Sequence, residues 1–416
     1  MPCVSQMNLR LNDDSLHTWI TDTSMKRGFS KNEFVLRILA DARSTSKPFE
    51  EAKANPILDI QSQGFTFSDF FAGIGGMRIG LEAVGGSCVF SCEKDKYARR
   101  TYGEWFPDSN HSIAEDITTL DPADIPKHDL LAAGFPCQPF SLAGVSKKIS
   151  MGEEHGFKDR LKGHLFGRLA EVIRVVQPKL LLLENVKNLR SHDSGKTWRT
   201  IDTTLNNLGY WVFNRILDAS CFVPQHRERI FIVGFRRDLY PTKPAFECSQ
   251  PKVAARPRLK DILEKNPDPK YTLSQDLWNY LQEYKRKHEA KGNGFGCSIA
   301  DPDGITRTLS ARYHKDGSEI LISQGDGKRP RRLTPVEAQR LMGFPEKPIS
   351  VSDTQAYRQF GNAVVPKIVE HVARQILAVA ATTPQSQSKR AKKALTIDSD
   401  GSAGDGRREK RRARAT

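Results

Sequence analysis

No stretch of this 416-residue sequence approaches the roughly 20 consecutive apolar residues that a membrane-spanning helix needs. Its opening, MPCVSQMNLRLNDDS, has no apolar core behind a positive region, so a secretion signal is not expected either. Cysteine is sparse: seven residues, widely spread and without a CxxC pair. Neither a disulfide framework nor a zinc module is expected, and no metal. A reducing cytoplasm follows as the expected location, with any one thiol free for chemistry. Acidic residues are in deficit, 49 against 64 Lys and Arg, which leaves a formal charge of +15. A polyanion is therefore the first partner to consider, supplied by nucleic acid or by a membrane surface. With 38% hydrophobic and 27% charged residues, a wholly disordered chain is excluded. The length suits one large domain with attachments, or two ordinary ones.

Composition changes at both ends. Residues 381–416 thin out in apolar side chains and alternate basic clusters with Ser, Gly and Asp, which predicts a disordered basic tail. Such a tail is a solvating end, a nonspecific phosphate contact or a nuclear-localisation signal. Near the start, residues 6–11 alternate polar and apolar, the period of a half-buried strand. A helix is expected from Asp14 to Arg27, with Leu16, Trp19 and Ile20 inward and Gly28 as its stop. A second opens on the capping box of Ser30 and Glu33 and spaces Phe34, Val35, Ile38 and Leu39 helically. Strand, helix, helix over residues 1–44 resembles the ribbon-helix-helix repressors of the Arc and MetJ type. The resemblance implies a homodimer through residues 1–44 that turns Gln6, Asn8 and Arg10 toward base edges. The alternative is a small packing cap. Residues 45–63, with Pro48 and Pro56, read as a linker.

From Phe65 onward short apolar strands alternate with helical stretches: TFSDFF, GSCVFSCEK, HDLLAAGFP, PKLLLLENV and RIFIVGF. Continuously apolar strands of this kind indicate a doubly wound α/β domain, its sheet mostly parallel and covered on both faces. The first strand runs into the Gly-rich turn of residues 69–76, DFFAGIGG, where a ligand can approach the backbone at the carboxyl edge. Glu93 ends the second strand, placed to accept hydrogen bonds from ribose hydroxyls. Asp116 follows the next short strand and suits an adenine amine. The three positions describe a nucleoside pocket without naming the nucleoside.

The fourth strand leads into GFPCQPFS, residues 134–141. A cysteine between two prolines at a strand's carboxyl end is either a nucleophile held at the ligand edge or a buried small hydrophobe. GFPCQPFS, together with FAGIGG, Glu184-Asn185-Val186, QHRER at 225–229, RRLTPVEAQRLMGFP at 331–345 and QFGNAVVP at 359–366, resembles the DNA cytosine-5 methyltransferases. These ordered motifs span residues 65 to 377.

The resemblance implies a Rossmann-like fold that uses S-adenosylmethionine and acts on double-stranded DNA. It implies Cys137 as the nucleophile, Glu184 as the hydrogen-bonding or proton-supplying carboxyl at cytosine N3, Arg229 at the cytosine O2, and Arg227 in support. For the methyl donor it implies Phe71 against the adenine, Ala72, Gly73 and Gly75 at the turn, Glu93 on the ribose, Asp116 on the amine, and Pro136 and Asn362 beside them. Lys94 departs from members that stack a tryptophan there, and Lys162-Gly163 from members with Arg-Gly. The target base must leave the duplex stack, and residues 141–163 correspond to the loop that closes over it, with Ser141 near DNA. The catalytic domain is expected at 64–235 and again at 331–380, and a target-recognition lobe at 236–330. In that lobe Arg307, Arg312 and Tyr313 are expected to touch DNA. The stretch around them is similar to Dcm-like modification methylases acting within CC...GG sites. Also implied are a bacterial, DNA-associated modification enzyme with a cognate restriction endonuclease acting on the same site, and an N-terminal domain that limits its own synthesis. A tRNA cytosine methylase and a DNA-binding regulator with vestigial catalysis are the competing readings. Intact Cys137, Glu184 and Arg229 speak against the second.

Overall fold

Short apolar strands separated by amphipathic helices build a seven-stranded mixed sheet in the computed structural model. The structure describes residues 64–107, 109–136, 165–253, 255–292 and 297–381, and in addition 20–22 and 24. Residues 1–56 and 57–416 divide into two units. Of the first, Ile20, Thr21, Asp22 and Ser24 are helical and fall inside the first expected helix. The expected strand with Gln6, Asn8 and Arg10, the second helix, the linker and the tail beyond residue 381 lie outside the described residues.

In the second unit the elements run β1 (Phe65–Phe70), α1 (Gly76–Glu82), β2 (Gly86–Cys92), α2 (Lys96–Trp105), β3 (Ile113–Ala114), β4 (Leu130–Ala133), α3 (Leu165–Val176), β5 (Leu180–Val186), α4 (Lys196–Asn207), β6 (Tyr210–Asp218) and β7 (Glu228–Arg236). After these come α5 (Gln275–Glu289), α6 (Pro335–Leu341), α7 (Asp353–Asn362) and α8 (Pro366–Ala380). The strand order is β3-β2-β1-β4-β5-β7-β6. Strands β1 to β5 pair in parallel, so their carboxyl ends line one edge.

Alternation along the central strands explains why they are apolar throughout. Leu130, Ala132, Leu180 and Leu182 face the layer that holds α1, α2 and α8, whereas Leu131, Ala133, Leu181 and Leu183 face α3 and α4. Both faces are covered, so no position can be polar without cost.

Two strands depart from the parallel expectation. RIFIVGF forms β7, antiparallel to both β5 and β6. Its partner β6 was not anticipated, because Asn214 and Arg215 interrupt its apolar run and most of its residues are only half-buried at the sheet's edge. The connection of residues 219–227 is too short for the crossover that a parallel return requires, so β7 comes back as a hairpin partner.

The segment expected as a separate recognition lobe shares the main core. Phe246, Leu309, Tyr313, Ile320 and Ile322 pack into the same apolar cluster as α1 and α8, while Leu273, Leu281, Cys297 and Leu321 form a small cluster of their own. Where the chain returns, α6 is capped reciprocally: Thr334 Oγ1 accepts from the Glu337 amide at 3.1 Å, and Glu337 Oε2 from the Thr334 amide at 2.8 Å. Arg331 grips the same carboxylate with two bonds of 2.7 and 2.8 Å, both side chains being buried. Glu337→Ala leaves the Arg331 guanidinium buried and unpaired. We expect a loss of about 3–5 kcal/mol in urea denaturation; a change below about 1 kcal/mol, the range of an exposed pair, would contradict the clamp.

Candidate active site

The turn after β1 is bent by backbone in the left-handed region at Phe71 (φ 55°), Gly73 (φ 55°) and Gly75 (φ 87°). The Ala72 amide donates to the Cys92 carbonyl at 3.1 Å, which ties the turn to the end of β2. The turn forms one wall of a pocket of about 320 Å³ at the carboxyl edge, within the size range of small-molecule sites. Phe71, Ala72, Gly73, Glu93, Asp116, Pro136, Glu184 and Asn362 all line it, so residues from separate stretches of sequence meet in one pocket.

Gly75 is the exception. It caps α1 outside the pocket, and a Cβ there would lie 2.4 Å from the Phe106 ring. Positive φ and that ring account for this glycine, with no ligand needed. At Gly73, by contrast, a Cβ would meet nothing within 4 Å, so the missing side chain leaves space in the pocket.

The polar groups are fixed before any ligand arrives. Glu93 Oε2 accepts from the Gly73 amide at 2.8 Å and Oε1 from the Asp95 amide at 2.7 Å, leaving each oxygen a further lone pair for a hydroxyl. Lys94, at the position where the sequence departs from a stacking tryptophan, places its Nζ 2.8 Å from Asp116 Oδ2. The Thr118 amide and hydroxyl donate to Oδ1 at 2.9 and 2.8 Å. The Lys94 bond first, then those from Thr118, hold the Asp116 carboxyl down to about 2. Gln359, unanticipated as a site residue, also lines the pocket, and its buried Nε2 has no hydrogen-bond partner among the described residues. Gln355 and Arg358, on the same helix α7, were also missed, because only their helix, and not their motif, brings them to the pocket.

Glu184, in β5, lines the same pocket. Its Oε1 is 3.0 Å from Arg229 Nε, with the two side chains 12% and 16% exposed. Burial pushes the Glu184 carboxyl above the usual range, and Arg229 and Arg227 oppose but do not cancel it. The antiparallel register makes this pair: Val186 sits opposite Arg229 and Glu184 opposite Phe231, so Arg229 reaches Glu184 diagonally across one face. Asn185, quoted in its motif without a role, donates from Nδ2 to the Phe135 carbonyl at 2.7 Å. It thereby holds the segment Gly134-Phe135-Pro136 that leads to Cys137. Cys137 and Ser141 lie outside the described residues.

One expectation is made specific and one is corrected. Arg227 is fully buried and does not line the pocket; its Nη1 donates to the Leu309 carbonyl and its Nη2 to those of Gly361 and Ala363. It joins backbone segments and does not face a base. Tyr313 is 0% exposed, its hydroxyl donating to the Ile320 carbonyl at 2.7 Å and accepting from the Leu333 amide at 2.8 Å. A side chain so placed is core and cannot touch DNA. Arg307 and Arg312, by contrast, are exposed.

The family described as C-5 cytosine-specific DNA methylase matches residues 65–378, which include every wall of this pocket. The chain belongs to the C-5 cytosine-specific DNA methylases. A DNA-cytosine methyltransferase of Escherichia coli K12 is 46% identical over 74% of this chain and 77% of its own. The type II methyltransferase M.NlaX of Neisseria lactamica is 46% identical over 76% and 96%. Among solved structures, a mutant of Spodoptera frugiperda DNMT2 aligns with a TM-score of 0.59 at 20% identity, over 75% of this chain and 99% of that one. The last comparison speaks to the fold alone. This C-5 methylase transfers a methyl group to cytosine C5 in DNA, and its family implies S-adenosylmethionine as the donor. The residues fit that donor: carboxylates for hydroxyl and amine donors, open space at Gly73, and an amide nitrogen at Gln359 without a partner among the described residues. Among the described residues no helix is long and apolar enough to cross a membrane.

Proposed function

We propose that this methylase works by covalent addition of Cys137 to a flipped-out cytosine, with Glu184 as the proton source. The observation that carries the reading is the mostly buried Glu184 carboxyl, paired with Arg229 and sharing one pocket with Pro136, the residue before Cys137. The Cys137 thiolate adds to C6, and the electron pair displaced through the ring is taken up at N3 by the Glu184 proton. C5 becomes the nucleophilic carbon of an enamine. Glu93, Asp116 and the Gly73 turn would hold S-adenosylmethionine, which would supply an electrophilic methyl group. C5 then carries both the methyl and its original proton; loss of that proton to a base expels the thiolate from C6 and restores the aromatic ring. Arg229 holds the cytosine O2 and keeps Glu184 oriented.

A raised Glu184 pKa means that the folded protein keeps this proton to higher pH than the unfolded chain does. Its contribution to stability is full at low pH and is lost as pH rises through the raised value. Turnover should decline over the same window. Glu184→Gln can still donate a hydrogen bond but has no titrating proton, so it should slow labelled-methyl transfer by about 10²–10⁴-fold and flatten that decline. A Glu184→Gln variant that keeps the wild-type pH profile would remove Glu184 from this role.

The similarity to type II methyltransferases supports a modification role beside a restriction endonuclease of the same specificity. Division of the unit into a catalytic part, 64–235 with 331–380, and a recognition part, 236–330, belongs to the same reading. The strand-helix-helix pattern of residues 1–44 supports a dimeric ribbon-helix-helix domain that represses the methylase's own gene. Arg10→Ala should then weaken binding of the full chain to its upstream DNA by about 1–3 kcal/mol in gel shifts, with plasmid methylation unchanged. Equal shifts for both proteins would leave residues 1–44 as a packing cap.

A further inference from the structure

Arg227 sits at a junction that the methylation chemistry does not use. Three alternate residues of one extended stretch bind several separate parts of the molecule, two of them meeting at Leu309. Gln225 accepts from the Leu309 amide at 3.1 Å and donates to the Leu341 carbonyl at 2.7 Å. Arg227 donates to the Leu309 carbonyl at 3.0 Å, and to those of Gly361 and Ala363 at 2.8 and 2.6 Å. Arg229 pairs with Glu184.

The segment 306–312 is therefore gripped from two sides. Residues 224–226 bind it through backbone bonds of 2.8 Å, from the Thr306 amide to the Pro224 carbonyl and from the His226 amide to the Thr306 carbonyl. The end of α7 lies directly against it: a Cβ on Gly361 would be 2.4 Å from the Ser310 carbonyl and the Ala311 amide. Asn362 and Ala363, which follow Gly361, line the pocket. The carbonyls at the end of α7 have no further turn to bond them, and a guanidinium there satisfies them and suits the negative end of the helix. A lysine has no planar fork to hold three carbonyls in different directions.

We infer that Arg227 is a positioning residue that couples segment 306–312 to the pocket wall at Asn362 and Ala363, so that DNA and the methyl donor bind cooperatively. The inference rests on the reading of the pocket as the donor site and of 306–312, with its exposed Arg307 and Arg312, as facing DNA. Contact of DNA with this segment settles the Leu309 carbonyl, and through one guanidinium the Ala363 carbonyl. The donor, pressing on Asn362 and Ala363, settles the same group from the other side. Linkage makes the effect reciprocal.

Hydrogen-exchange mass spectrometry on the full chain with S-adenosylhomocysteine, without DNA, tests this first. Exchange should slow at residues 72–76 and 93–95, and also at 306–312. Protection of the first two stretches without the third overturns the coupling; no protection at 72–76 overturns the reading of the pocket instead. Calorimetric titration with S-adenosylhomocysteine, with and without unmethylated bacteriophage λ DNA, tests it second. DNA should tighten binding by about 5-fold or more in the unaltered chain and leave it about unchanged in Arg227→Lys, each protein's affinity for the ligand without DNA serving as its own baseline. A purely structural Arg227 would change both titrations alike, and an equal ratio in the two proteins overturns the inference. Gly361→Ala, which pushes segment 306–312 away from α7, serves as the second variant and should lose the ratio in the same way. The exchange comparison on the unaltered chain decides the coupling even where neither variant folds.

Discussion

Cys137→Ser should abolish methyl transfer, with a loss of roughly 10³-fold or more in turnover. A hydroxyl is not appreciably ionised at neutral pH and adds to C6 far more slowly than a thiolate. Without that addition C5 remains part of an aromatic ring and takes no methyl group. Binding of duplex DNA should be little changed, because the phosphate contacts that dominate affinity do not involve this side chain. Covalent trapping gives an independent reading of the same step. On 5-fluorocytosine DNA the unaltered chain should form an adduct stable to denaturant, since fluorine at C5 cannot leave as the proton does and the thiolate is never expelled. Cys137→Ser should form none. Near-normal turnover in the variant would sink the mechanism.

Exchange of residues 236–330 with the matching segment of a related methylase should change the methylated sequence to that of the donor enzyme. Base edges are read by side chains that reach the grooves, whereas the catalytic pocket meets only the extruded cytosine. The structure adds a condition: Phe246, Leu309, Tyr313 and Ile320 belong to the main core, so a chimera must keep apolar residues of similar volume there to fold. An active chimera that retains its original target would place specificity elsewhere.

How much of this was legible in the sequence depends on whether a residue's role is set by its neighbours in the chain or by distant partners. Glu93 and Asp116 were legible because each follows a strand of the parallel sheet, whose carboxyl ends share one edge, and Asn362 because its motif resembles the family's. Arg227 and Arg229 were told apart only by the family resemblance, which gave Arg229 the cytosine O2 and Arg227 a supporting place. They share a motif and a facing, and only the register of β7 against β5 shows that Arg229 reaches Glu184 while Arg227, ahead of the strand, turns to α7. Tyr313 sits among polar residues and read as a DNA contact. Its hydroxyl is bonded by the Ile320 carbonyl within the recognition segment and by the Leu333 amide beyond it, partners that the residues next to Tyr313 do not reveal. Gly75 shows the same limit locally: a glycine needed for positive φ and one needed for a ligand look alike in sequence, and here the Phe106 ring tells them apart. The direction of β7 was concealed because an apolar run buried on both faces looks alike whether its ladder is parallel or antiparallel.

Bisulfite sequencing of genomic DNA from cells expressing the full chain reports activity, position and context in one measurement. The account predicts protected cytosines at essentially every copy of one short sequence, with none in cells expressing Cys137→Ser at equal levels. Complete conversion in cells that contain the folded unaltered protein, or the same protection with Cys137→Ser, would contradict it.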